Sequence, residues 1–175
     1  MTNPEFPRTR KAFNQLCGSR HPAQAMRDAF DRETLVKGTT STYTTTTLAK
    51  DYDLSVDVLQ NTPYKITLVL YVTTTAGGIK LDQAGGTAVA TAYKGKTTFT
   101  NVNSTLPIYV DVAALNTAQA SIGNAVVRVE HEAVGIFSNS GTLVIQLAQF
   151  AASGTTVIGV GSYISAEPLT ALYAK

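Results

Sequence analysis

Three ionisable side chains stand in a row in RVEHEAVGIF: Glu130, His131 and Glu132. Carboxylates beside an imidazole are the raw material of general acid–base work or of a metal site. The pair His131–Glu132 also begins H-E-x-x-H, in which two histidines one helical turn apart hold zinc and the glutamate activates a water. Here the second histidine position is Gly135, so the motif is incomplete. It also requires a helix, whereas Val126, Val127, Val129, Val134 and Ile136 make the segment a strand former. In a strand, alternation places Val127, Val129, His131 and Ala133 on one face and Arg128, Glu130 and Glu132 on the other. The imidazole is thereby separated from both carboxylates. The expectation is a strand with a charged outer face and one inward histidine, with a contact between subunits as a lesser role for His131.

Other chemistry is thinner. His21 and His131 are the only histidines, so neither a histidine cluster for zinc nor a Ser–His–Asp arrangement follows from spacing. In DYDLSVD, Asp51, Asp53 and Asp57 have the odd-position spacing of calcium ligands, but the glycine and distal glutamate of an EF-hand loop are missing. A solvated strand face is the preferred reading there. Gly77–Gly78 and Gly85–Gly86 precede neither G-K-[ST] nor a helix, and read as turn glycines rather than phosphate loops. Eight tyrosines and no tryptophan raise a sugar-binding platform, yet Tyr64, Tyr71, Tyr93 and Tyr109 fall on separate strands, as β-propensity alone would put them. No catalytic residue, metal ligand or cofactor site is assigned.

The elements that must carry these residues divide near Gly38. Before it, PRTRKAFNQLCGS and HPAQAMRDAF suggest two short helices, each too small to stand alone. Residues 1–37 are read as a helical or extended arm and residues 38–50, which include TTSTYTTTT, as a Thr-rich linker. Residues 51–175 follow as strand upon strand. LSVDV alternates through Leu54, Val56 and Val58, and after the NTP turn YKITLVLYV sets Tyr64, Ile66, Leu68, Leu70 and Val72 on one face. The two AGG runs and KGK at Lys94–Lys96 read as hairpin connections, and AALNTAQASIGN as a helical turn or loop. LPIYVDV, AVVRVEHEAVGIF, TLVIQLAQF and VIGVGSYI complete eight or nine strands. The fold class expected is all-β, an antiparallel β-sandwich or jelly roll with a short helical N-terminal arm.

At 175 residues the chain suits one core, burying roughly two thirds of its unfolded surface. Charged residues are 15% and the net charge is +2, so bulk charge demands neither nucleic acid nor an anionic membrane. The basic excess sits in the arm, which has seven Lys/Arg against four Asp/Glu, while the remainder has seven against eight. Cys17, the single cysteine, rules out an internal disulfide and suits a reducing compartment. No run approaches the eighteen or so apolar residues of a membrane helix. Synthesis in a cytoplasm is expected, with later release inside a particle.

QNTPYKITLVLYVTTTAGGIKL and VRVEHEAVGIFSNSGTLVIQLAQFAASGTTVIGVGSYISAEPL resemble a β-sandwich module of tailed-bacteriophage virion structural proteins. The likeness covers about Asp51 to Leu169 and rests on short words: the N-T-x-Y strand, the GTL hairpin and the closing GSY strand. It implies a capsid decoration or cement protein, a head fibre or a tail-associated adhesin, usually homo-oligomeric, with no catalytic residues to carry over. The expected function is a non-enzymatic virion structural protein on the capsid exterior. The competing function is a receptor- or glycan-binding module of a tail fibre or spike, expected at the end of a longer fibre chain rather than behind an arm of its own. A hydrolase is disfavoured by the incomplete motif. Expected partners are other copies of the chain, with a trimer favoured, and the major capsid protein or another virion protein, with no membrane and no specific nucleic acid. Docking is assigned to the arm: Phe6, Phe13, Leu16, Met26 and Phe30 as buried anchors, and Arg8, Arg10 and Lys11 as salt-sensitive contacts at the rim.

Overall fold

In YKITLVLYV every second residue is apolar, and in the computed structural model Tyr64, Ile66, Leu68, Leu70 and Val72 are all buried on one side of a long strand. The structure describes residues 33–102, 106–121 and 125–169. Twelve strands are found among them: β1 (Glu33–Val36), β2 (Ser41–Tyr43), β3 (Ala49–Val58), β4 (Pro63–Thr74), β5 (Ile79–Asp82), β6 (Ala90–Asn101), β7 (Ile108–Val112), β8 (Gln119–Ser121), β9 (Val126–Phe137), β10 (Gly141–Gln149), β11 (Thr156–Ile158) and β12 (Tyr163–Pro168). All the strand pairs are antiparallel. No helix occurs among the described residues, and the expected helices of the arm lie outside them.

Two sheets face each other. The larger runs β1-β12-β4-β9-β6-β7, with β11 joining β4 to β2, and the smaller runs β3-β10-β5-β8. Side chains meet between them: Leu68, Leu70, Phe99, Val129 and Phe137 from the larger sheet, Leu54, Val56, Ile79, Leu81, Leu143 and Ile145 from the smaller. The expected antiparallel β-sandwich of jelly-roll type is the observed architecture. Strand β3 packs against β1 and β12 at one side of the sandwich, and β8 against β7 at the other.

Several local expectations change. Glu33–Val36 pairs with β12 and Ser41–Tyr43 with β11, so stretches assigned to the arm and the linker contribute strands to the larger sheet. Lys37 is buried, its N–H donating to the carbonyl of Ser162. The short alternation of LVK and the threonine run conceal this, because pairing with distant strands is invisible locally.

KGK is not a hairpin. β6 passes straight through Lys94–Gly95–Lys96. Gly95 is required there by crowding: a Cβ would lie 2.6 Å from Ala133 Cβ and 2.7 Å from the Glu132 carbonyl oxygen. The second AGG is likewise no hairpin, since Gly85 N–H donates to Val144 O and the chain continues along β10. AALNTAQASIGN holds the short strand β8, and VIGVGSYI divides into β11 and β12. On β9, Val127 is the extra residue of a bulge between the pairs Arg128–Thr100 and Val126–Asn101, and it points outward, against the simple alternation.

Candidate functional site

From Val129 onward β9 alternates as its sequence requires: Val129, His131 and Ala133 face the core, while Glu130, Glu132 and Val134 face away. His131 is fully buried and held at both ring nitrogens. Tyr93 Oη lies 2.8 Å from Nε2 and Thr97 Oγ1 lies 2.8 Å from Nδ1. The order of donors can be derived. Gln119 Nε2 donates to the carbonyl of Thr117 and to Gln83 Oε1, which leaves Gln119 Oε1 as acceptor for the Thr97 hydroxyl at 2.8 Å. With its one proton so used, Thr97 Oγ1 must accept from His131 Nδ1–H, and Nε2 must accept from the Tyr93 hydroxyl. Gln83 Nε2 closes the chain by donating to Gln119 Oε1 at 2.9 Å.

This chain links the two sheets, since Tyr93 and Thr97 lie on β6 and His131 on β9, while Gln119 lies on β8 and Gln83 just after β5. Every member is neutral at pH 7. Burial lowers the His131 pKa to about 4 and raises that of Tyr93, where the charge of Asp82 adds to the effect. An imidazole without solvent contact, with both nitrogens engaged, cannot reach a substrate. Its work is to satisfy polar groups inside an apolar core.

The carboxylates of β9 belong to the outer face of the larger sheet. Glu130 accepts a 2.6 Å contact from Arg128, and Glu132 lies 3.8 Å from Lys65. Beside them, Lys96 Nζ sits 3.9 Å over the ring of Tyr109 and the Arg128 guanidinium 5.9 Å from that of Tyr71. Thr67, Val69, Lys96, Glu130, Glu132 and Tyr163 line a shallow depression of about 350 Å³ on this face. A second hollow, of about 580 Å³ beside the start of β6, is lined in half by alanines, with Tyr93 and Leu115 among the rest.

A second buried polar cluster closes the opposite side of the sandwich. Lys37 follows β1, Tyr43 ends β2, and Asp51 and Asp53 lie on β3. Lys37 Nζ donates to Asp51 Oδ1 at 2.9 Å and to Asp53 Oδ2 at 3.2 Å. The Tyr43 hydroxyl donates to Asp51 Oδ2 at 2.9 Å, and the backbone N–H of Asp53 to Asp51 Oδ1 at 3.2 Å. The side chains of Lys37 and Asp51 are 0% and 4% exposed, whereas that of Asp53 is 53% exposed. Hydrogen bonding from Lys37, then its charge, lowers the Asp53 pKa, and burial followed by the charge of Asp51 raises that of Tyr43.

The aspartates weighed as calcium ligands are thus occupied differently: a lysine ammonium bridges Asp51 and Asp53, and Asp57 accepts a hydrogen bond from the Thr142 hydroxyl. No group of three or more potential metal ligands occurs among the described residues. Lys37, Tyr43, Thr97, Gln83 and Gln119 have no motif that marks them, and only the register of distant strands brings them together. The arm residues Phe6, Arg8, Arg10, Lys11, Phe13, Leu16, Met26 and Phe30 lie outside the described residues.

No protein-family model matches the chain, and no curated protein does. Twenty-seven chains of solved structures match. One is TmCBM61 in complex with beta-1,4-galactotriose, at 11% identity and TM-score 0.34, covering 59% of this chain and 87% of that one. Another is the Eiger TNF of S. frugiperda, at 11% identity and TM-score 0.38, covering 79% and 92%. A third is VP2 of the infectious bursal disease virus subviral particle, at 14% identity and TM-score 0.23, covering 77% of this chain and 39% of that one.

Proposed function

We propose that this chain is a non-enzymatic structural protein of a virus particle, a capsid decoration or cement protein held to the shell by its N-terminal arm and by contacts between copies, with a closed homotrimer as its assembly. The observation that carries the non-enzymatic part is the state of His131, the one histidine among the described residues, whose ring is sealed in the core with both nitrogens bound. The structural part is supported by the outer face of the larger sheet. There Tyr71, Tyr109, Val134 and Ile136 are exposed among charges of both signs, a mixed surface suited to many modest contacts repeated across a shell. The resemblance of the strands to phage virion modules points the same way.

Microscopy of assembled particles, with and without this chain, tests the reading. Density for the sandwich on the capsid exterior, lost when a chain lacking residues 1–32 is supplied instead, is the expected result. A chain absent from particles, or one that still decorates normally without those residues, would refute the attachment assigned to the arm. One observation favours a glycan-binding alternative: the depression on the outer face combines Glu130, Glu132, Lys96 and Tyr163, donors and acceptors beside an aromatic ring. Saturable shifts of these residues on titration with host glycans, observed by NMR, would favour that function over decoration.

A further inference from the structure

An amine and a carboxylic acid condense to an amide and water. In solution both are ionised and hydrated and the reaction stalls, so a protein site must exclude water, hold the two groups in contact, relay the protons and stabilise the oxygen that becomes negative. The cluster closing the β1–β3 side of the sandwich shields the reacting pair from water and has the other parts, with Asp53 at its solvent edge. The amine of Lys37 is buried against the carboxyl of Asp51, 2.9 Å from Oδ1. A second carboxylate, Asp53, touches the same amine at 3.2 Å. Two donors hold the carboxyl to be attacked, the Tyr43 hydroxyl on Oδ2 and the Asp53 backbone N–H on Oδ1. A salt bridge needs a lysine and one aspartate, and the remaining groups are what acyl transfer needs in addition.

We propose that Lys37 and Asp51 join in an intramolecular amide bond, formed by the folded chain itself with Asp53 as the proton carrier. Asp53 Oδ2 takes a proton from the Lys37 ammonium and passes it to Asp51 Oδ1, and the freed lone pair of Nζ forms the bond to Cγ of the now neutral carboxyl. Negative charge gathers on Oδ2, where the Tyr43 hydroxyl stabilises it. A second ammonium proton reaches Oδ1 by the same route, the Cγ–Oδ1 bond breaks, and Oδ1 departs as water. Oδ2 remains as the amide carbonyl. Both hydrogens of the water come from the ammonium, Asp53 ends as it began, and no oxidant or other reactant enters. The exposed side of Asp53 is the way out for the water. The direction of reaction follows from burial, because a neutral amide replaces an ion pair kept from solvent at a desolvation cost.

The product would fasten the end of β1 to β3, one strand from each sheet, four residues beyond Glu33, where the chain enters β1. Tension on that segment would then be carried by covalent bonds. This does not depend on where the protein is assembled. The test is the mass of the purified full chain in denaturant. The expected mass is lower by one water molecule than the sequence requires, and a proteolytic digest yields one branched peptide joining Lys37 to Asp51. Lys37→Arg restores the full mass, and Asp53→Asn restores it or slows the loss on freshly made protein. A wild-type chain of full mass overturns the proposal, whether or not the variants fold. So does a loss of water that persists in Lys37→Arg, which would place the dehydration elsewhere. Unchanged kinetics in Asp53→Asn would remove the role given to Asp53.

Discussion

The two sides of the sandwich are closed by polar clusters of opposite character. At the β6–β9 side, Tyr93, His131, Thr97, Gln119 and Gln83 form a neutral chain in which each proton has one place to go and no atom of the imidazole reaches solvent. At the β1–β3 side, Lys37, Asp51, Asp53 and Tyr43 form an ionic group, buried at one end and open to water through Asp53 at the other. The neutral chain ties two sheets together and can do little else. The ionic one keeps a nucleophile against an electrophile with a route for protons. A histidine between two glutamates looks like the reactive place in this protein, yet reactivity depends on charge and on a reacting partner held in contact, and those favour the lysine.

The comparison is broken most directly at the ionic cluster. Measured against Lys37→Arg, which keeps the cation but cannot form the amide, Lys37→Met leaves Asp51 buried without its counter-charge, which costs about 3–5 kcal/mol of stability. Asp53→Asn, placed in the same Lys37→Arg background so that no amide forms, has a much smaller effect on denaturant unfolding because its position is largely exposed. Equal losses in the two variants would mean that the cluster is solvated throughout, and the contrast with the neutral chain would disappear.

The neutral chain is sharpened by pH. His131 is neutral when folded, with its pKa lowered by burial from 6.5 to about 4. The unfolded chain therefore binds more protons between these values. The stability that the neutral histidine contributes is fully present above pH 6.5 and is lost as the pH falls through 4. The difference between pH 7 and pH 4 from this residue is about 3 kcal/mol. Unfolding free energies of the wild type and His131→Gln at both pH values isolate it, since the carboxylates are common to the two proteins. The variant is expected to show the shallower dependence, and parallel curves would mean that His131 titrates normally.

How much of this was legible beforehand depends on the range of the signal. Alternation along β3 from Leu54 to Val58, through Tyr64, Ile66, Leu68, Leu70 and Val72 of β4, and in β9 beyond its bulge, announces the buried faces and hence the sandwich. It also separates His131 from Glu130 and Glu132. The bulge at Val127, the strand β1 beneath a basic segment, and the continuity of β6 through Lys94–Lys96 depend on partners far along the chain, and no local window contains them. The ionic cluster was half visible, as aspartates spaced like calcium ligands. Its cation lay 14 residues away from Asp51, in a segment that composition assigned to an arm.

Gly95 tests the neutral β6–β9 side from within, beside the His131 ring. It reads as a turn glycine, but its place in β6 is set by neighbours. A methyl group there would press on Ala133 Cβ and the Glu132 carbonyl, and would lie 3.0 Å from His131 Cε1. Gly95→Ala should destabilise the fold by about 1–3 kcal/mol through overpacking. It should also disturb the His131 ring, which a change in its NMR shifts would reveal. A stabilised variant, as expected of a glycine replaced within a regular strand free of such contacts, would show that β6 has room beside β9.

The smallest effect is expected where the sequence looked most chemical. Glu130 and Glu132 stand on the outer face, one against Arg128 at 2.6 Å and the other 3.8 Å from Lys65, with all four side chains between 42% and 68% exposed. Pairs of that exposure contribute between zero and about 1 kcal/mol, because water screens the charges and long side chains lose freedom on pairing. Glu130→Gln and Glu132→Gln should each change the unfolding free energy by less than about 0.5 kcal/mol, and less still at high salt. Neither should alter the pH dependence assigned to His131, whose ring lies on the other side of the sheet. A loss of several kcal/mol from either variant would mean that this face is covered in solution, as in an assembly of copies, where a carboxylate removed from water has to be paired. Measuring both variants across a range of protein concentrations separates the two cases, since only the loss of a contact between copies depends on concentration.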